Sequence, residues 1–162
     1  MPEALWKMPP IAKIYEALGA IGDGRVRIED ARHAFVTSSD GSKTYEVDMN
    51  DDGREISSND NASFWQGYLG YPAIAVLIAR GLILCPPEAA IHALAGVPWK
   101  ELNTRNRNDY DRTLEDVLTR AAARGCDATM IRAAAASVLD AVRSLAPRQG
   151  QRRRPPRARS KK

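Results

Sequence analysis

The segment GYPAIAVLIARG, residues 70–81, sets the tightest limit on the architecture. Pro72 stands where a first helical residue would, because its missing N–H is not needed there. Gly81 stands where a helix ends in the left-handed conformation. Between them PAIAVLIAR is apolar nearly all round, so this helix has no face to give to water. The rest of the fold must wrap it. At 162 residues the chain is long enough to do so with one hydrophobic core and no staples.

What precedes the helix has a different period. RVRI (25–28), HAFVT (33–37) and KTYEVDM (43–49) alternate between apolar and polar and carry β-branched and aromatic residues. Ser39-Asp40-Gly41-Ser42 reads as a tight hairpin turn, and Asn50-Asp51-Asp52-Gly53 as a second one leading to a short strand, REIS (54–57). The expectation is an antiparallel meander of three or four strands. Before it, IAKIYEALGAI places Ile11, Ile14, Tyr15 and Leu18 on one face of a short amphipathic helix ended by Gly19 and Gly22.

Past the meander the chain reads as helical. Asp60 or Asn61 caps NASFWQGYL. Pro87 opens a short helix closed at Gly96, and Pro98 opens PWKELN before a polar loop, NTRNRN (103–108). Asp109 and Asp127 cap two longer amphipathic helices joined by Gly125-Cys126-Asp127, an antiparallel helical hairpin that Pro147 terminates. The fold class expected is α+β: a small meander packed on a buried helix, followed by the C-terminal hairpin. The expected organisation is a single domain over 1–147, with a ββα-like core at 25–84 and a helical part at 87–146. Residues 148–162 are expected as a disordered basic tail, because they carry dense like charge and no apolar pattern. There is no internal repeat.

The net charge of +4 conceals a division. All eight cations of RQGQRRRPPRARSKK lie beyond Pro147, which leaves sixteen basic against twenty acidic residues in 1–147. A body of net −4 repels phosphates, whereas the tail attracts them. The candidate nucleic-acid contacts are Arg148, Arg152, Arg153, Arg154, Arg157, Arg159, Lys161 and Lys162, whose guanidinium forks and ammonium groups suit phosphate oxygens. A tail of this kind gives little sequence specificity, since base readout needs side chains held rigidly in a groove.

Motifs for catalysis and cofactors are lacking. No GxSxG, Walker loop, HExxH or GxGxxG occurs, and SSDGSKT (38–44) lacks the first glycine and the following helix of a phosphate loop. Cys85 and Cys126 have no local spacing motif and are expected as buried thiols in a reducing compartment. His33 and His92 have no partner at ligand spacing. Asp48-x-Asn50-x-Asp52-Gly53 matches the first six positions of a calcium loop, but its twelfth position is Asn59. Two readings stand there, a plain hairpin turn and a weak cation site. MPEALWKMPP has no charged segment followed by an apolar one, and the longest apolar run falls short of the roughly 20 residues of a membrane span. The cytoplasm is the expected compartment, with no membrane partner.

The hairpin KTYEV…REIS, its polar corner, and the following Gly-Tyr-Pro-Ala-Ile-Ala-Val-Leu resemble the SWIM zinc-finger family. That family places Cys-x-Cys at the end of a β-hairpin and Cys-x-His at the start of an apolar helix. The resemblance covers residues 43–81, and the ligand positions fall on Ser58, Asp60, Tyr71 and Ala73, none of them Cys or His. A structural zinc needs four nitrogen or sulfur donors. The resemblance therefore implies a ββα unit without metal, in which Phe64, Trp65, Tyr68, Leu69 and Tyr71 supply the cohesion.

These readings favour a non-catalytic binding protein associated with DNA or RNA through its tail. The alternative is a protein-interaction or self-association module using the exposed face of the helical hairpin. A third reading is an enzyme with a site in a pocket lined by Trp65, Tyr68 and Tyr71. No cofactor or metal is expected. Trp65 itself is expected in the core, beside the apolar helix.

Overall fold

The apolar helix lies at the centre of an α+β fold. The structure is a computed structural model and describes residues 4–157. Helix α1 (Ile11–Gly22) leads to a meander of β1 (Val26–Ile28), β2 (His33–Thr37), β3 (Thr44–Met49) and β4 (Glu55–Ser58). A single π-helical turn, Ala62–Gln66, connects to α2 (Tyr71–Ala79), followed by α3 (Glu88–Leu94), α4 (Trp99–Arg105), α5 (Tyr110–Ala123) and α6 (Ala128–Leu145). A short strand β5 (Arg148–Gln149) closes the described chain onto the sheet.

Helix α2 is buried from Pro72 through Ile78. It packs on the meander on one side and on α1 on the other. The inward faces of β2, β3 and β4 supply Ala34, Val36, Val47, Met49 and Ile56, each almost fully buried. Alternation along β2 and the start of β3 is what the sequence pattern demands. The helical hairpin forms as expected, with Asp109 and Asp127 each accepting from backbone N–H groups of the first turn.

Four expectations are corrected. First, α1 is buried from Ala12 to Ala20 rather than on one face. Its Lys13 and Glu16 lie inside as an ion pair of 3.0 Å. Second, α4 continues to Arg105, so Asn103 is a buried helical residue and not part of a loop. Its side chain donates to Glu16 Oε1 at 2.8 Å, which joins α4 to α1. Third, Cys85 is exposed and Cys126 only half-buried; both are free.

The fourth correction concerns the tail. Residues 148–153 dock on the body. Strand β5 pairs parallel to β4, with Glu55 opposite Arg148 and Ile56 opposite Gln149. The order across the sheet is β1-β2-β3-β4-β5. Gly150 N–H donates to the Ile56 carbonyl at 2.8 Å, and Gln149 N–H to the Ala4 carbonyl at 2.7 Å. The edge of β4 would otherwise present unpaired backbone groups, and the tail satisfies them. Arg153 then bridges two acids on β3, Glu46 at 3.2 Å and Asp48 at 2.5 Å. The like charge that argues for disorder in isolation finds opposite charge on the folded body.

Candidate binding cleft

A cavity of about 560 Å³ opens beside the π-helical turn. Its walls come from five separate stretches of chain. Helix α1 gives Lys13 and Glu16, and β3 with its preceding turn gives Lys43 and Tyr45. The π-helical turn and the residues leading to α2 give Trp65, Tyr68 and Tyr71. Helix α4 adds Lys100 and Asn103, and the start of α5 adds Tyr110. The volume lies within the usual range for small-molecule sites, roughly 300–1,000 Å³.

The aromatic walls are held by neighbours. Tyr71 meets Tyr45 edge to face, with centroids 6.2 Å apart and an interplanar angle of 88°. Lys13 Nζ stands 4.3 Å from the centre of the Tyr110 ring, a cation–π contact. Trp65 is 67% exposed at the mouth, which corrects its expected place in the core. The π-helical turn rotates it outward, and the chain leaves that turn through Gly67 at φ 75°. Trp65 stacks edge-on against Phe64 at 4.6 Å and 87°. The guanidinium of Arg152 caps the Phe64 ring at 4.1 Å and donates to the Phe64 carbonyl at 3.0 Å. The docked tail thus reaches the cleft mouth through one aromatic ring.

Behind the mouth, Asp60 organises the corner. It accepts from Ser58 Oγ at 2.6 Å, from Ser63 Oγ at 2.7 Å and from Ser63 N–H at 3.1 Å. Ser63 Oγ in turn accepts from Gly70 N–H at 3.2 Å. Asp60 and Ser58, two of the positions that the SWIM resemblance marks, therefore share a hydrogen bond. Tyr71 lines the cleft, and Ala73 is buried in α2.

The charges around the cavity are mostly paired. Lys13 binds Glu16, Arg25 binds Asp23 at 3.1 Å, and Lys100 binds Asp40 at 3.2 Å. Lys43, half-buried, is the lining cation with no acidic partner among the described residues. Every resolved titration shift here moves away from neutrality. Burial pulls Lys13 down, but Glu16 and Tyr110 outweigh it and hold the ammonium above its ordinary value. Burial, with Asp60 nearby, raises Tyr45 to about 12. Burial also raises Tyr68 and, furthest of these phenols, Tyr71. None of these groups is poised to exchange a proton near pH 7. They are fixed hydrogen-bond donors instead.

The turn from α4 to α5 also edges the cleft. Arg107 and Asn108 take successive positive φ values of 54° and 61°. Asn tolerates this region, but Arg rarely enters it, so the turn stores strain beside the cavity.

The other candidate residues fall elsewhere. Arg154 and Arg157 are exposed, and Arg148 lies in β5. Arg159, Lys161 and Lys162 lie outside the described residues. His92 is exposed and bonds Glu88 at 3.1 Å. In the calcium-like stretch, Asn50 Oδ1 accepts from Glu55 N–H and Asp52 Oδ1 from Arg54 N–H, the pattern of a hairpin turn. Asp48 points instead to His33 and Arg153. His33, Glu46 and Asp48 bring ligand atoms within 4.8 Å of one another, but the Arg153 guanidinium already bridges the two acids.

Sequence reasoning found Trp65, Tyr68 and Tyr71 as a possible pocket lining and missed Lys13, Lys43, Tyr45, Lys100 and Tyr110. One signal was available: aromatic residues cluster at element boundaries rather than in their interiors.

Fold and site together define an α+β protein with an aromatic-walled polar cleft at the junction of its sheet and its helices. The chain belongs to the family described as uncharacterised conserved protein UCP014422, whose model matches residues 6–148. All the cleft residues fall within that match, and residues 149–162 lie beyond it. No curated protein and no solved structure matches the chain. No helix among the described residues is long and apolar enough to cross a membrane.

Proposed function

We propose that this is a non-catalytic, cytoplasmic binding protein that associates with single-stranded nucleic acid. An unpaired base stacks on Trp65, and the basic C-terminal segment engages phosphates. The observation that supports this reading is the stack Arg152–Phe64–Trp65, which sets an exposed indole beside the origin of the basic segment. A large indole left 67% exposed has a burial energy that only a partner can recover. Stacking on it is tolerant of base identity, so little sequence specificity follows.

The tail divides its work in this reading. Arg152 and Arg153 anchor it to the body, while Arg154 and Arg157 are exposed and without ion-pair partners among the described residues. These two, with Arg159, Lys161 and Lys162, are the phosphate contacts. The SWIM-like reading belongs to the same proposal, with the Ser58–Asp60–Ser63 hydrogen bonds holding the corner that a metal would otherwise hold. The helical hairpin has less to offer a protein partner, because its exposed positions are charged or small, among them Glu115, Arg120, Arg132, Ala136 and Arg143.

The test is a salt titration of oligonucleotide binding, read by tryptophan fluorescence. A single-stranded oligonucleotide is expected to quench the exposed Trp65. Trp65→Ala should keep its melting temperature and lose about 1–3 kcal/mol of affinity. For about five phosphates the slope of log K against log salt should be about −3.5 on a single strand, and Arg154→Glu with Arg157→Glu should flatten it by about 1.4. Undiminished binding by Trp65→Ala, or an unchanged slope in the double variant, defeats the proposal.

A further inference from the structure

The interior of the cleft, as distinct from its mouth, makes a separate demand on a ligand. We infer that it is a small-molecule site for one flat aromatic ring carrying a single anionic group, a ligand about the size of a nucleoside monophosphate. The inference does not rest on the binding of strands at Trp65.

Shape gives the ring. Tyr45, Tyr68, Tyr71 and Tyr110 reach the cavity from three different elements and the segment before α2, and contacts with neighbours hold Tyr71 and Tyr110 in place. Aromatic walls fixed in this way favour a planar guest over a branched or flexible one. A volume of about 560 Å³ admits one ring system with a substituent and excludes an extended polymer.

Charge gives the single anion. Lys13, Arg25 and Lys100 each already hold a carboxylate. Lys43 is half-buried and has no acidic partner among the described residues. Asp60 also lines the cavity and keeps its charge, but its two oxygens already accept three hydrogen bonds from Ser58 and Ser63 and are held in the corner. Lys43 is therefore the lining cation, among the described residues, left to receive one anionic group. Ser39 stands nearby in the same wall, its hydroxyl accepting from Lys100 N–H at 3.0 Å. Its O–H proton remains to donate to that anion.

The anion could be a phosphate or a carboxylate, and paired probes separate the two. Adenosine monophosphate is compared with adenosine, and salicylate with salicylamide, by thermal shift and by titration against the full chain. In at least one pair the anionic member is expected to bind ten-fold or more tightly than its neutral counterpart. The pair that shows the effect identifies the source of the anion. Lys43→Met should abolish that difference while leaving the neutral member's affinity unchanged. Tyr110→Leu should weaken both members alike, since it removes part of the wall. Arg154→Glu with Arg157→Glu, which weakens strand binding, should leave the cleft unaffected. If neither anionic ring raises the melting temperature at millimolar concentration, the inference is overturned. It is equally overturned if inorganic phosphate binds as tightly as the rings, or if Lys43→Met keeps the anion preference.

Discussion

Gly70 shows how much one hydrogen atom decides. Its φ of −76° suits any residue, so backbone freedom is not the reason for glycine. The reason is proximity, because a Cβ at this position would lie 1.8 Å from Asp60 Oδ2. Asp60 cannot retreat, since Ser58 and Ser63 hold its carboxylate from two sides. Gly70→Ala is expected to destabilise the protein by about 1–3 kcal/mol, the usual cost of overpacking. Adding Asp60→Ser should recover part of it, and chemical denaturation of the single and double variants measures both. Sequence reading offers Asp60 or Asn61 as a helix cap and gives Gly70 no role of its own. That the two touch is a contact across ten residues that no local pattern encodes. Lys43 is similar: it reads as an ordinary strand-edge lysine until the fold surrounds it with paired charges.

Among the elements, the C-terminal segment departs furthest from its sequence reading. Local composition argued for disorder, and β5 with its following residues is instead seated by opposite charge and an open strand edge. Asp48 is the residue that most needs this docking, because its side chain is only 9% exposed. Arg153→Ala leaves that carboxylate buried with only His33 beside it. The expected loss is about 1–3 kcal/mol, below that for a fully buried pair, because Arg153 and Glu46 are each about a third exposed. Arg154→Ala, which removes an equal charge without an ion pair, should change stability by less than about 0.5 kcal/mol. Thermal denaturation of the two variants side by side separates docking from net charge. The π-helical turn teaches the same lesson at shorter range. NASFWQ reads as the start of a helix, but Gly67 breaks it after one turn, and Trp65 faces solvent instead of the core.

For the molecule as a whole, stability against pH follows from the groups around β2. His33 is raised above 6.5, first by its hydrogen bond to Asp30 and then by Asp48. Its contribution is therefore complete below about pH 6.5 and is lost as pH rises through the higher folded value. Asp30 is lowered to about 2, chiefly by N–H donation from Arg32 and His33. Its contribution is present above pH 3.8 and is lost as pH falls through about 2. The expected outcome is an optimum between these limits. His33→Gln should remove the decline on the alkaline side while the acid limb persists, as melting temperature against pH will show. An NMR titration of His33 should place its midpoint above 6.5.

The α+β class, the meander, the buried helix α2 and the helical hairpin with its two Asp caps are legible along the chain. Each of these rests on periodicity or on interactions within a few residues, which a linear pattern records directly. The cleft, the burial of the Lys13–Glu16 pair, the docking of residues 148–153 and the outward turn of Trp65 arise in the folded molecule alone. These depend on groups far apart in the chain meeting in space: Lys13 with Tyr110, Glu16 with Asn103, and Asp48 with Arg153. Charge and aromaticity are visible residue by residue. Whether a charge is compensated or a ring is covered is a property of its neighbours, and folding chooses those.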